Sequence, residues 1–240
     1  MDVRWMTGFL DSPSRDAESF WLAVTGARLS ARRGPDGAFA TLLPPDGDAY
    51  LRVQVVGTPP PRTHLDLHVA DVPAAAGEAV ALGARVAHAE DGLVVLRSPA
   101  GLAFCLVAWA GEAAVPAARS WPGGSASVVD QVSLDIPAAL FEAEAGFWAA
   151  LTGWVRRPAG LVEFEYLKRA AGMPVRLLMQ RTGSGVPRMH VDLACDGVDA
   201  EVDRHVALGA AVVRRVPGDW TTLRDPVGRE YCITARSPWR

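Results

Sequence analysis

The stretch Pro61–Leu67 (PRTHLDL) recurs as Pro187–Leu193 (PRMHVDL), with the His and Asp at the same spacing in both copies. Polar and apolar side chains alternate along each stretch, which is typical of a β-strand with one face buried. The His and the Asp of each copy therefore point to the same face of their strand. A repeat of this kind indicates that the chain contains two copies of one folded unit.

Three further blocks recur in the same order along the chain. They are Ser19–Gly26 with Gly146–Gly153, Val80–Ala84 with Val206–Ala210, and Ser98–Cys105 with Asp225–Cys232. The segment between the copies is rich in Ala, Pro, Gly and Ser, a composition typical of a linker. We therefore predict one domain at residues 1–110, a linker at 111–127 and a second domain at 128–236.

The sequence pattern of each copy predicts a strand, a helix and three strands, in that order. This series of elements occurs twice in each copy. The strand segments alternate in polarity, and Gly153 and Gly209 stand where glycine commonly ends a helix. This succession predicts an α+β fold in which helices cover one face of each mostly antiparallel sheet.

Composition narrows the class of partner. The net charge is −3, from 24 basic and 27 acidic residues, and no Lys/Arg cluster offers a surface for nucleic acid or an anionic membrane. No apolar run approaches a membrane span, and residues 1–5 do not match a signal peptide. Three cysteines without close pairing do not suggest a disulfide framework. We expect a cytoplasmic monomer or homodimer that binds a small molecule.

Two motifs relate the chain to a known family. One is Arg-x-His-x-Asp-Leu, a helix, Ala-Leu-Gly-Ala, a strand and Pro-x-Gly-x-x-(Phe/Tyr)-Cys; the other is the upstream Phe-Trp-x-x-(Val/Leu)-Thr-Gly. Together they resemble the glyoxalase-like branch of the vicinal oxygen chelate superfamily, which includes glyoxalase I, extradiol dioxygenases and bleomycin-binding proteins. The resemblance implies two tandem domains, each built from two βαβββ modules whose strands form a curved, mostly antiparallel sheet around a cleft.

In metal-binding members of that superfamily, His and Glu ligands lie on the first and last strands of each module. The resemblance places these positions at Thr7, Gln54, His64 and Cys105 in the first copy and at Gln131, Gln180, His190 and Cys232 in the second. Each set has one imidazole and no carboxylate, whereas a catalytic divalent metal commonly has three good protein ligands. We therefore expect no metal cofactor, with a divalent metal as the alternative.

The candidate cleft residues combine these positions with two aspartates and a tryptophan. They are Gln54, His64, Asp66 and Cys105 in the first copy and Gln131, Gln180, His190, Asp192, Trp220 and Cys232 in the second. Each residue type also has a structural alternative: buried polar groups satisfied by neighbours, ion pairs with Arg62 and Arg188, and cysteines that fill the core.

Three functions follow from the resemblance and from these residues. The first is metal-independent binding of a small organic molecule or secondary metabolite in the clefts. The second is an enzyme of the superfamily (a lyase, an isomerase or a dioxygenase) in which His64 or His190 is a metal ligand or a general base. The third is a structural or interaction protein with vestigial clefts. The sequence leaves open whether the protein is an enzyme.

Overall fold

The computed structural model describes residues 1–239 and shows the predicted βαβββ order four times. The first half contains β1 (Val3–Ser12), α1 (Glu18–Thr25), β2 (Arg28–Leu29), β3 (Phe39–Leu43), β4 (Leu51–Val55), β5 (Arg62–Val69), α2 (Val72–Ala81), β6 (Arg85–Glu90), β7 (Leu93–Arg97) and β8 (Ala103–Ala108). The second half contains β9 (Arg119–Ser120), β10 (Ala126–Pro137), α3 (Phe141–Thr152), β11 (Val155–Pro158), β12 (Phe164–Lys168), β13 (Arg176–Thr182), β14 (Arg188–Cys195), α4 (Val198–Ala207), β15 (Ala211–Val216), β16 (Trp220–Arg224) and β17 (Glu230–Thr234). Among these residues, no helix combines the length and apolar character needed to cross a membrane.

The strands form two mixed sheets with equivalent topology. Their orders are β2-β3-β4-β1-β5-β8-β7-β6 and β11-β12-β13-β10-β14-β17-β16-β15, with β9 beside β10. Strand β5 pairs with β8 in parallel, and β14 pairs with β17 in the same way, whereas the hairpins of each module are antiparallel. The predicted α+β class and the two modules per half are confirmed.

The chain forms two compact units, and each unit combines segments from both halves. The first unit consists of Met1–Gly8, His64–Ala113 and Val132–Met189; the second consists of Phe9–Thr63, Ala114–Gln131 and the residues from His190 onward. The division into domains at 1–110 and 128–236 follows the sequence repeat and stays a prediction.

Aromatic side chains form the centre of the first unit. Trp148 of α3 is fully buried and lies 5.2 Å, between ring centroids, from Phe104 of β8, with Phe147 beside both rings. The Trp148 indole donates a hydrogen bond of 2.7 Å to the carboxylate of Glu144, which also accepts one from the backbone amide of Ala100. The buried carboxylate and the indole therefore satisfy each other while the ring packs against the sheet.

The second unit repeats this arrangement with different polar partners. Trp21 of α1 is fully buried, and its ring lies 5.2 Å from that of Tyr231 on β17. Its indole donates to Asp225 at 2.9 Å, and Arg229 forms an ion pair with the same carboxylate at 2.7 Å. The repeated Phe-Trp motif thus serves the same purpose in both units, which is to pack a helix against a closing strand.

A buried acid also links α4 to its sheet in the second unit. Glu201 is fully buried and accepts hydrogen bonds from Arg204 at 2.7 Å and from Ser127 at 2.5 Å. His205 lies 3.2 Å from the same carboxylate and 2.8 Å from the hydroxyl of Tyr231. Helix α4 is therefore tied to β10 and to β17 through one polar network.

This network shifts the ionisation of its members. Burial alone would raise the pKa of Glu201, but hydrogen bonds from Arg204, His205 and Ser127 lower it to about 2. Burial lowers the pKa of His205, so that its imidazole is neutral at pH 7. Because the folded-state pKa of Glu201 lies below that of the unfolded chain, its stabilisation is complete above about pH 4.5 and is lost as the pH falls towards 2.

We predict that Glu201→Gln lowers the free energy of unfolding at pH 7 by about 3 kcal/mol, because the lowered pKa reports that much stabilisation of the carboxylate. The difference from wild type should shrink as the pH falls from about 4.5 towards 2, as measured by denaturant unfolding across this range. Asp91→Asn, at an exposed turn, is the control and should change stability by less than about 0.5 kcal/mol. A difference from wild type that does not vary with pH would contradict the assignment.

Candidate metal centres

The repeated His-x-Asp stretch lies on a central strand in each half, and the neighbouring strand brings a cysteine beside it. On β5 and β8, Asp66 is the parallel partner of Cys105, and on β14 and β17, Asp192 is the partner of Cys232. Paired residues in a sheet project to the same face, and the His two positions before each Asp shares that face. The fold therefore assembles a His, an Asp and a Cys on one face of each central strand pair.

The triad of the second unit consists of His190, Asp192 and Cys232. The His190 Nε2 atom lies 3.2 Å from Asp192 Oδ1 and 3.8 Å from Cys232 Sγ. The His190 side chain is 13% exposed, whereas the aspartate and the cysteine are almost fully buried. The imidazole is therefore the most exposed member of the triad.

The triad of the first unit consists of His64, Asp66 and Cys105. His64 Nε2 lies 3.7 Å from Asp66 Oδ1, and the His64 side chain is again 13% exposed. In each triad, one potential ligand atom from each residue lies within 4.8 Å of the other two. Both copies therefore build the same constellation.

Three other residues surround the second triad. The side-chain amide of Gln131 on β10 donates a hydrogen bond to the carboxylate of Asp192. The Thr222 hydroxyl on β16 lies 3.4 Å from Cys232 Sγ, and the two residues are partners in the sheet. Trp220, two positions before Thr222, shares that sheet face and is half-buried. Thr222 was not among the residues predicted from the sequence.

The two remaining candidates occupy matched positions on outer strands. Gln54 on β4 is the sheet partner of Phe39, and Gln180 on β13 is the partner of Phe164. Both glutamines are half-buried. Each belongs to a different compact unit from the triad with which the sequence grouped it, so its place in a cleft stays a prediction.

Electrostatics couple the members of the second triad. Burial opposes the charging of His190, but the adjacent carboxylate of Asp192 outweighs it and raises the pKa of the imidazole well above its usual range. Burial, reinforced by the charge of Asp192, raises the pKa of the Cys232 thiol. A buried carboxylate beside two groups that hold protons is a site where one divalent cation can replace two protons.

The donor atoms suit a transition metal. Ligands at about 2.0–2.3 Å from a tetrahedrally coordinated ion lie about 3.3–3.8 Å from one another. The separations of 3.2 Å and 3.8 Å in the second triad and of 3.7 Å in the first agree with this geometry. Imidazole, carboxylate and thiolate are also the three ligand types that zinc accepts most readily.

A second histidine in the first unit has different surroundings. His68 Nε2 lies 2.9 Å from the Thr7 hydroxyl, and its Nδ1 lies 3.2 Å from the carboxylate of Glu112. This order of hydroxyl, imidazole and carboxylate resembles that of hydrolytic triads. However, Thr7 is 1% exposed, so its hydroxyl is not accessible to a substrate, and its hydrogen bond satisfies the Nε2 atom of a buried imidazole.

The family of the chain is evident from its sequence. The model of the glyoxalase-like domain matches residues 9–107 and 131–234. The chain belongs to the glyoxalase-like domain family. Each half contains one match, in agreement with the tandem arrangement inferred from the repeat, while no curated protein is similar enough in sequence to count as a relative.

Solved structures of low sequence identity share the fold. An extradiol ring-cleaving dioxygenase from B. fuscum is 14% identical, with a TM-score of 0.64 over 99% of this chain and 73% of that one. A Mn(II)-bound glyoxalase from Novosphingobium aromaticivorans is 17% identical, with a TM-score of 0.62 over 97% and 81% of the two chains. A variant of 4-hydroxymandelate synthase from Streptomyces coelicolor is 16% identical, with a TM-score of 0.61 over 98% and 93%. The predicted vicinal oxygen chelate fold is confirmed.

The expectation of no metal cofactor is wrong. It rested on ligand positions transferred by resemblance, which contained no carboxylate in either copy. The structure places Asp66 beside His64 and Cys105, and Asp192 beside His190 and Cys232, so each copy has three potential ligand atoms in one cluster. The carboxylate was missed because it lies two residues after the histidine on the same strand rather than at a position that the resemblance marks.

We predict that chelator-treated native protein reacts with an aromatic disulfide reagent at least about tenfold more slowly than unfolded protein. The physical reason is burial: Cys105 and Cys232 are 7% exposed and Cys195 is 1% exposed, and burial also raises the pKa of Cys195 to about 11. Colorimetric thiol counting in denaturant without reductant should find three free thiols. Fewer than three would contradict the free state of these side chains.

Proposed function

We propose that the chain is a metal-dependent enzyme that acts on a small, oxygen-bearing organic molecule. The observation that supports this proposal is the His-Asp-Cys triad, formed once in each unit with donor atoms within 4.8 Å. His190, Asp192 and Cys232 would hold the ion in the second unit, and His64, Asp66 and Cys105 in the first. The proposal replaces metal-independent binding as the favoured function.

The number of ligands supports catalysis rather than a structural role for the ion. Structural zinc sites commonly have four protein ligands, whereas catalytic sites have three and leave a position for water or substrate. When bound, such an ion polarises a carbonyl or hydroxyl oxygen of the substrate. The partly exposed imidazole edge of each triad is the side from which a small molecule can approach.

The ligand types favour a lyase or isomerase over a dioxygenase. Oxygen-activating iron(II) sites commonly use two imidazoles and one carboxylate, whereas each triad here has a single imidazole. Thiolate ligands suit zinc, which has no redox chemistry. Proton transfer at a carbon next to a polarised carbonyl group is therefore the reaction class that we propose.

The other residues of the second unit would prepare the site for substrate. Gln131 fixes the orientation of the Asp192 carboxylate through its amide. Trp220 lies on the same sheet face with the guanidinium group of Arg214 5.5 Å from the centre of its ring, and we propose that this pair contacts a planar substrate. The interspersed surface charges favour a small molecule over nucleic acid as the partner, and a cytoplasmic location stays a prediction.

Metal analysis provides the direct test. We expect protein purified without chelator, or incubated with zinc and then desalted, to retain up to two ions per chain by plasma mass spectrometry. The double variant His64→Ala/His190→Ala should lose at least about 90% of this metal, because each triad then retains only two ligands. His88→Ala, a histidine that is 60% exposed and lies outside the triads, is the matched control and should retain all of it. Retention of metal by the double variant would contradict the proposal.

Zinc binding to the triads should also increase the free energy of unfolding. Zinc at about 100 times the dissociation constant of a triad should raise the free energy of unfolding of the chelator-treated protein by about 2.7 kcal/mol for each triad that it fills. The shift should vanish in the double variant and persist in His88→Ala. Assays of the zinc-loaded protein with oxygenated carbonyl compounds then test for lyase or isomerase turnover, and ligand binding without turnover would instead support a binding protein.

A further inference from the structure

The two triads have the same residue types, but the strand beside each cysteine differs. Strand β7 places Val95 opposite Cys105 in the first unit, and β16 places Thr222 opposite Cys232 in the second. Both pairs are antiparallel, and in both units the cysteine is also the parallel partner of the triad aspartate. Val95 and Thr222 are therefore equivalent positions with nearly equal volume and different chemistry.

The hydroxyl of Thr222 is within hydrogen-bonding distance of the sulfur. Its Oγ1 lies 3.4 Å from Cys232 Sγ, a normal separation for a bond that involves sulfur. A hydroxyl can donate to a thiolate and stabilise its negative charge, whereas the methyl groups of a valine cannot. Thr222 can thus hold and stabilise the sulfur ligand of the second triad in a way that Val95 cannot for the first.

The carboxylate of the second triad accepts a hydrogen bond that can orient it. Gln131 donates to one oxygen of Asp192, while the other oxygen lies 3.2 Å from His190 Nε2. The equivalent separation between His64 and Asp66 is 3.7 Å. Hydrogen bonds to ligating groups orient them before the ion arrives, and their loss typically weakens metal affinity by about 10–100-fold.

We propose that the two triads are unequal metal sites, and that the His190-Asp192-Cys232 site binds a divalent metal at least about tenfold more tightly than the His64-Asp66-Cys105 site because Thr222 positions and stabilises its sulfur ligand. This inference rests on the metal binding proposed above. Thr222 is a positioning residue, since it acts through Cys232 rather than on the ion.

The test is a titration of the chelator-treated full-length chain with Co²⁺, followed through the near-ultraviolet charge-transfer absorption that a cobalt-thiolate bond produces. Cys105→Ala leaves only the second sulfur ligand, and Cys232→Ala leaves only the first. We expect Cys105→Ala to retain the tight phase of the wild-type titration and Cys232→Ala to retain the weak phase. Equal affinities in the two variants, or the reverse order, would overturn the inference.

Substitutions that exchange Thr222 and Val95, the residues opposite the two cysteines, test the effect of the hydroxyl alone. Thr222→Val, made in the Cys105→Ala background, should weaken Co²⁺ binding by about tenfold or more. Thr222→Ser should restore most of the affinity, because it returns the hydroxyl. Val95→Thr, made in the Cys232→Ala background, should tighten the first site. Unchanged affinity in Thr222→Val and in Val95→Thr would overturn the role of the hydroxyl, provided that thermal unfolding shows both variants folded.

The outcomes separate the two proposals. Charge-transfer absorption in both single-cysteine variants with the same affinity would leave the metal-dependent function standing and would remove the inequality of the sites. Absence of any such absorption, together with no retention of zinc, would overturn both.

Discussion

The packing of a helix from one half of the chain against the closing strand of the other half holds each compact unit together. In one unit the contact is Trp148 on Phe104, and in the other it is Trp21 on Tyr231. A fully buried tryptophan contributes roughly 4–6 kcal/mol by apolar area, whereas an exposed ion pair such as Arg215 with Asp199 contributes about 0–1 kcal/mol. The aromatic contacts therefore decide which modules associate, and the surface charges adjust that association only slightly.

The candidate metal centres depend on this packing through strand register. A shift of one residue in the pairing of β14 with β17 would turn Cys232 to the opposite face and dismantle the triad, since side chains alternate along a strand. The buried neighbours on the other face, Val191, Leu193 and Ile233, oppose such a shift because it would expose them. The apolar residues on one face of the sheet thus fix the strand register that brings the triad together on the other face.

The fold could be predicted from the sequence because the repeat shows each element twice. Alternation in the His-x-Asp strands and the Thr-Gly pair at the end of the first helix of each half are local signals. Gly26 and Gly153 indeed follow the last helical residue in left-handed conformation. Six of the site residues, the two triads, lie together as clusters. The grouping of Gln54 with His64 and of Gln180 with His190 is not shown, because the compact units do not follow the repeat.

What the sequence could not supply was the pairing between distant strands. The alternation pattern already places His190 and Asp192 on one face, yet only the parallel register brings Cys232 opposite Asp192 and makes a set of three donors. Thr222 was missed for a related reason. It matters only because its antiparallel partner is Cys232, and its counterpart Val95 gave no polar signal that a comparison of the copies would reveal.

Each compact unit contains modules from both halves of the chain, and this arrangement limits how the sequences of the two copies could diverge. Because each unit takes modules from both halves, separation of the chain at the segment between them would leave each fragment with parts of two incomplete cores. Neither copy can therefore drift in its packing residues without disturbing a fold that it shares with the other. Positions outside these cores, such as the valine or threonine beside the cysteine, can change without disturbing the packing. The duplication therefore provides two related sites in one chain that can acquire different properties.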